Sequence, residues 1–382
     1  MENSAQLVDY AAALAAGSGP VAVDAERASG YRYGQRAYLV QLRRNGSGTG
    51  LVDPVPLPDL SVIQAAIADT EWVLHAANQD LPCLAEIGLV PRRVFDTELA
   101  ARLAGLPRVG LGAVVESLLG YSLQKGHSAA DWSTRPLPEE WLVYAALDVE
   151  VLVDLRDALA EILEEQGKTD WARQEFEAIL AAGPPPPKAD PWRRTSGVHG
   201  LRSRRQLGML RSIWQARDDM ARRRDVAPGR VLPDSAMVSA VQADPANEGA
   251  LLELPVFRGR ANRKLVATWF SALARGRALP EAELPLHSKP GEGPPPVNRW
   301  ADRDPAAATR LQVARAGLAE LSEKHSVPVE NILSPDLVRR IMWSPPEPRD
   351  SSAVIEALRA GGARDWQIGL TSDVLTDAVN RA

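Results

Sequence analysis

Val21-Ala22-Val23-Asp24-Ala25-Glu26 is a short apolar run that ends in two carboxylates spaced two residues apart. A strand turns successive side chains to opposite faces, so Asp24 and Glu26 point the same way. Two acids on one face at the end of a buried strand repel each other, and burying them unpaired is costly. Such a strand end must either be solvated or be given a cation. A divalent metal is the simplest cation that serves both acids at once, and that reading stands or falls on whether further acids reach the same place.

The 382 residues leave room for two or three domains. A single cysteine, Cys83, excludes a disulfide framework and a multi-cysteine zinc site, and it fits a reducing compartment. Met1 to Tyr10 carries two acids and no basic leader pattern, and no apolar run approaches a membrane span. The expectation is a soluble, cytoplasmic protein with no membrane partner, most simply a monomer. The net charge of -5 is unevenly spread. Residues 1–182 hold 14 Lys and Arg against 26 Asp and Glu, residues 183–279 hold 18 against 8, and residues 280–382 hold 12 against 15. An acidic front joined to a basic middle suits a protein that collects a metal in one part and holds a polyanion with another.

Strand patterns at 21–26, 37–42 and 50–54, with a turn at Asn45 to Gly48, predict an antiparallel meander. A helix over 59–68, a strand over 72–76 and helices over 79–87, 96–105 and 110–119 follow. The loop 120–137 leads to one long helix from Pro138 to about Gln166. Strands first and strand–helix units after them predict a mixed α/β sheet flanked by helices. Gly183 and Pro184 to Pro187 form an extended linker, and a second Pro- and Gly-rich break spans 280–298. The segments after each break read as helical. At an offset of 101 residues Val226, Val231 and Leu232 fall on Val327, Ile332 and Leu333, which predicts a duplicated helical domain. The expected division is a mixed α/β domain over 1–182, a linker over 183–202, helical domains over 203–279 and 306–382, and a second linker over 280–305.

Two further acids join the first pair. Asp80 follows the strand 72–76, and the C-terminal ends of strands are where an α/β sheet presents its site. Alone, it reads as a helix N-terminal acid favoured by the dipole. Tyr144 and Asp148 lie four residues apart, hence on one helical face, among Leu147, Val151 and Leu155. Carboxylate-only oxygen ligands suit Mg2+ or Mn2+, not zinc. Two such ions about 4 Å apart clamp the attacking and leaving oxygens of a phosphoryl displacement. A tyrosine hydroxyl beside the attacking water orients it or helps deprotonate it.

Asp24-Ala25-Glu26, His75 with Asn78-Gln79-Asp80, Asp131-Trp132 with Arg135-Pro136-Leu137, and Tyr144 with Asp148 together resemble the ribonuclease D family of four-acid 3'–5' exonucleases. The resemblance covers about residues 1–165. Residues 203–279 are similar to the HRDC domain that follows in this family, and 306–382 resemble a second, diverged copy. What the resemblance implies is a ribonuclease H-like mixed sheet, with Asp24, Glu26 and Asp148 on one ion and Asp24 and Asp80 on a second. It further implies that Tyr144 positions the water, that nucleoside 5'-monophosphates leave a free RNA 3' end, and that transfer RNA precursors are the substrates. Arg27, directly after the first motif, departs from the apolar or small residue common there. The same chemistry also serves DNA 3'–5' exonucleases in repair, and a silent nuclease fold that only binds nucleic acid is the reading from another class.

Candidate substrate contacts are Arg32, Tyr33 and Gln35, which mix aromatic faces and charge beside the acids, with His75, Asn78, Lys125 and His127. Arg204, Arg205, Arg211, Arg222 and Arg223 are the candidate nucleic-acid contacts of the basic helical domain. Trp132, Trp214, Trp269 and Trp300 read as core residues.

Overall fold

The computed structural model describes every residue except 124, 125, 127, 128, 184, 185, 187, 288–292 and 382. The meander forms as expected: β1 (Ser18–Arg27), β2 (Ala37–Asn45) and β3 (Gly48–Val52) pair antiparallel. Gly46 and Gly48 make the β2–β3 turn at positive φ, a conformation other residues resist. β4 (Glu71–Leu74) and β5 (Arg93–Asp96) add parallel strands on the far side of β1, giving the order β3-β2-β1-β4-β5. β1 is thus central, which is why Val21, Ala22 and Val23 are fully buried. β5 has four residues, too few for an alternation to register in the sequence.

Among the described residues the sheet carries eight helices: α1 (Ser4–Ala16), α2 (Ser61–Ile67), α3 (Leu81–Glu86), α4 (Thr97–Leu103), α5 (Leu111–Leu119), α6 (Glu139–Glu150), α7 (Leu152–Glu165) and α8 (Thr169–Ala182). The expectation of one helix over 138–166 is corrected: the chain bends at Val151, where φ is -97° and ψ -12°. α6 covers β1, β2 and β3, whereas α7 crosses to β1 and β4. Val149 and Leu152 close the bend over Ala22 and Val73. Leu147, expected on the apolar face, is exposed.

Two helical units follow. The first holds α9 (Arg204–Arg224), α10 (Pro228–Val231), α11 (Asp234–Ala243), α12 (Glu248–Leu252), α13 (Arg260–Arg263) and α14 (Val266–Arg277). The second holds α15 (Trp300–Arg303), α16 (Pro305–His325), α17 (Val329–Ile332), α18 (Pro335–Trp343), α19 (Ser351–Ala360) and α20 (Asp365–Val379). α9 and α16 begin and end 101 residues apart, and each stops on a left-handed residue, Asp225 or Ser326. α10 and α17 keep the same offset.

The two units attach differently. The second shares one continuous apolar core with the sheet, α4, α7 and α8. Trp171 of α8 stacks on Trp366 of α20 with centroids 4.6 Å apart. Lys168 Nζ donates to the carbonyls of Leu103 (2.7 Å) and His325 (2.6 Å), spanning the same seam. The first unit has a core of its own, built on Trp192, Met209, Leu210, Ile213 and Trp269. It meets the sheet domain at the loop after β1 through polar and ring contacts. Among the described residues no helix is long and apolar enough to cross a membrane.

Candidate active site

β1 delivers Asp24 and Glu26 to one face, and α6 lies across that face with Asp148 turned toward them. One carboxylate oxygen from each of Asp24, Glu26 and Asp148 lies within 4.8 Å of the others. The Tyr144 hydroxyl, one helical turn before Asp148, hydrogen-bonds the Asp148 carboxylate. Asp80 comes from the other side, on the turn between β4 and α3. That turn is built around a second acid, Asp96. Its carboxylate accepts from the amides of Ala76 (3.1 Å), Ala77 (2.8 Å), Glu98 (2.9 Å) and Leu99 (3.1 Å). The backbone at Ala76 is left-handed, with φ 59°, and it throws the chain over toward β1. Asp80 is buried and makes no cap bond to α3; its partner is Arg27, whose Nη2 lies 3.6 Å from Oδ1.

Burial and mutual repulsion leave the four acids poorly compensated. Burial, then the charges of Asp24, Asp148 and Asp80, push Glu26 up to about 9. Burial, then Asp24, push Asp80 up to about 8. Asp148 rises to about 7 for the same two reasons, and burial raises Asp24. Burial and the neighbouring acids raise Tyr144 as well. Groups of one sign do not gather in a buried cleft without a counter-charge. The donors are all oxygen, which fits a hard divalent cation. Such a set can hold an ion and so organise a phosphate ester above it.

Residues 1–164 match the family described as 3'-5' exonuclease, 206–273 match the HRDC domain, and 293–379 match a family described as the 3' to 5' exonuclease C-terminal domain. A protein called ribonuclease D from Gluconacetobacter diazotrophicus is 34% identical over 333 residues, 85% of this chain and 81% of that protein. The chain belongs to the ribonuclease D family. A crystal structure of a protein from Bifidobacterium adolescentis is similar over 99% of this chain and 96% of its own, with 36% identity and a TM-score of 0.92. The Escherichia coli RNase D structure, described as an exoribonuclease involved in structured RNA processing, covers 99% and 97% at 25% identity and a TM-score of 0.72.

Within this chain the other expected contacts scatter. Lys125 and His127 lie outside the described residues. His75 sits just past β4, bonded to Thr97 Oγ1 at 2.9 Å, and burial pushes it down to about 4, so its ring is neutral and packs. Asn78 is exposed on the single turn 77–79. Gln35 accepts from Ser29 at 2.8 Å. Arg32 Nε donates to Ser133 at 2.8 Å and its Nη1 pairs with Asp225 of the HRDC unit at 3.7 Å. Tyr33 donates to Asp218 at 3.0 Å and lies under the Arg222 guanidinium, 5.6 Å from its ring centre. This loop therefore clips the HRDC unit to the nuclease. Arg204, Arg205 and Arg211 donate to carbonyls between Arg277 and Pro285, closing their own domain. Arg223 is exposed.

Three residues near the site were not among the expected site residues. Gln41 pairs with Asp24 in the β1–β2 ladder and so shares its face. It is fully buried, and neither amide atom has a hydrogen-bond partner among the described residues. Gly126 packs on Tyr144: a Cβ there would sit 2.8 Å from the ring. Arg135 anchors the loop before α6 by a bidentate pair with buried Asp53 (2.6 and 2.8 Å) and a bond to the Tyr38 carbonyl at 2.8 Å. Only Arg135 belonged to a recognisable motif; the partners of Gln41 and Gly126 lie too far along the chain to be read from it.

Proposed function

We propose that this chain is a divalent-metal-dependent 3'–5' exoribonuclease that releases nucleoside 5'-monophosphates from free RNA 3' ends, transfer RNA precursors among them. One observation carries the reading: Asp24, Glu26 and Asp148 converge within 4.8 Å, beside a tyrosine bonded to the last of them. Asp24, Glu26 and Asp148 would hold one ion, Mg2+ or Mn2+, and Asp24 and Asp80 would hold a second. When bound, the ions offset the charge that builds on the phosphate and lower the pKa of the attacking water. The chain's residues do the rest. Tyr144, anchored by Asp148, orients that water through its hydroxyl. Asn78 and Arg223, both exposed, contact the strand. A cleft lined by acids repels a bare polyanion, so entry of the 3' end depends on the ions being present.

The test is a 3'-tailed RNA and its DNA counterpart incubated with the protein and Mg2+. Stepwise shortening of the RNA with release of 5'-monophosphates is expected, abolished by EDTA and by Asp24→Ala. Shortening that survives Asp24→Ala removes the assignment of the acids. Equal or faster shortening of DNA moves the substrate class to DNA.

A further inference from the structure

Arg27 follows the Asp24–Glu26 pair directly, and in an unbroken ladder it would face away from both acids. The ladder is broken there. Glu26 opposes Leu39, whereas Arg27 opposes Ala37, so Tyr38 is an extra residue on β2. The bulge lies on β2 and bends that strand. Opposite it, Arg27 puts Nη2 3.6 Å from Asp80 Oδ1, with only 26% of its side chain exposed. At that distance the contact is an ion pair and too long for a hydrogen bond. The charges that act on Asp80 are Asp24, Arg27 and Asp96, and Arg27 is the one cation among them. Its field also reaches Asp24 and Glu26.

We infer that Arg27 is the built-in counter-cation of Asp80 and must yield that carboxylate when a divalent ion takes it. The inference rests on the metal reading above and assigns a role to a residue which that reading leaves idle. A guanidinium and a divalent cation cannot share one buried carboxylate without repelling each other. An ion at Asp80 therefore binds against the loss of the Arg27 pair, while an ion held by Glu26 and Asp148 does not. Two unequal ion positions follow, and Arg27 sets the gap between them. It is a positioning residue: it acts on the ion through Asp80.

The experiment titrates Mn2+ into the full, metal-stripped chain by calorimetry. The variants are Arg27→Gln, Arg27→Met, Arg27→Lys and Asp80→Asn. Two binding steps are expected in the unaltered protein. Arg27→Gln and Arg27→Met each tighten the weaker step roughly tenfold, on the scale of ordinary coupling between ligands, and leave the tighter step within about twofold. Arg27→Lys keeps the charge and stays within about threefold of the unaltered protein. Asp80→Asn removes the weaker step. A weaker step that is unchanged or further weakened in the uncharged Arg27 variants overturns the inference alone, as does its persistence in Asp80→Asn. Equal tightening of both steps also overturns it, since that is a general field effect. A chain that takes up no ion overturns the metal reading itself, and this inference with it.

Discussion

Glu175 and Glu26 are both buried glutamates, one in the seam under α20 and the other in the cleft under α6. Around Glu175 the chain supplies every partner. Arg364 Nη2 donates to it at 2.8 Å and Trp366 Nε1 at 3.0 Å. Around Glu26 the described residues supply three more acids against one cation, Arg27. Structural charges are matched from within the fold, while charges kept for chemistry wait for a partner from outside. The largest consequence concerns the unmatched site. Asp148→Asn is expected to lower turnover on RNA by about a thousandfold or more, the scale of about 4 kcal/mol of transition-state stabilisation. In EDTA the same variant melts at or above the temperature of the unaltered chain, because it removes a repelling charge. A loss of activity matched by a loss of stability would mean Asp148 is an ordinary structural acid.

The matched site makes the opposite forecast. Glu175→Ala leaves Arg364 and Trp366 without their acceptor, and removing one partner of a buried pair is expensive. Arg364 is a third exposed, so the cost is set below the fully buried range, at about 2–3 kcal/mol. Denaturant melts read it directly. Turnover per folded molecule should stay unchanged, since Glu175 spends its carboxylate on Arg364 and Trp366. If turnover falls while stability holds, the two sites are coupled and the contrast between them fails.

This contrast was half legible in the sequence. The unmatched acids announce themselves because strand alternation and helical spacing put Asp24 with Glu26 and Tyr144 with Asp148. A buried acid with no local partner is a visible anomaly. Glu175 gave no such signal, because its partners sit 189 and 191 residues away along the chain. The same reason hid the role of Tyr33 and Arg32. Their aromatic and basic character reads as a grip for a single strand, yet Asp218 and Asp225 come from another unit to occupy them. The bend at Val151 was hidden because both sides of it are helical in pattern. Only the need to cover β3 with one helix and β4 with the next forces it.

A pH series sharpens the contrast next. Glu26 titrates at about 9 in the folded chain, against an ordinary value of 4.5. A raised folded value means the folded state holds its proton more tightly. The stability this gives is present below about 4.5 and is lost as pH climbs to about 9. Glu26→Gln cannot lose it. In EDTA the variant should match the unaltered chain near pH 5 and melt about 3 °C higher near pH 9. Saturating Mg2+ should reverse the order at pH 9, because only the carboxylate gains from the ion. A gap that stays flat with pH would show that Glu26 is already compensated.

The smallest effect compares the two seams themselves. The HRDC unit holds the nuclease by a few polar contacts: the Ala227 amide donates to the Tyr31 carbonyl at 2.9 Å, and Arg230 lies over the Tyr31 ring at 4.1 Å. The C-terminal unit is joined by an apolar core and stacked tryptophans. Tyr33→Phe removes the hydroxyl that bonds Asp218, while Arg222 still pairs with that acid at 2.8 Å. The expected loss is therefore small, about 1 kcal/mol or less, and confined to one seam. Hydrogen exchange reads it locally. Exchange at the Ala227 amide should quicken by about fivefold, while the Trp366 amide, bonded to Gln174 at 3.2 Å across the other seam, keeps its rate. Equal change at both amides would mean the units open together and that one rigid body carries all three parts. No change at Ala227 would mean that Arg230 and Tyr31, not Tyr33, hold the HRDC unit in place.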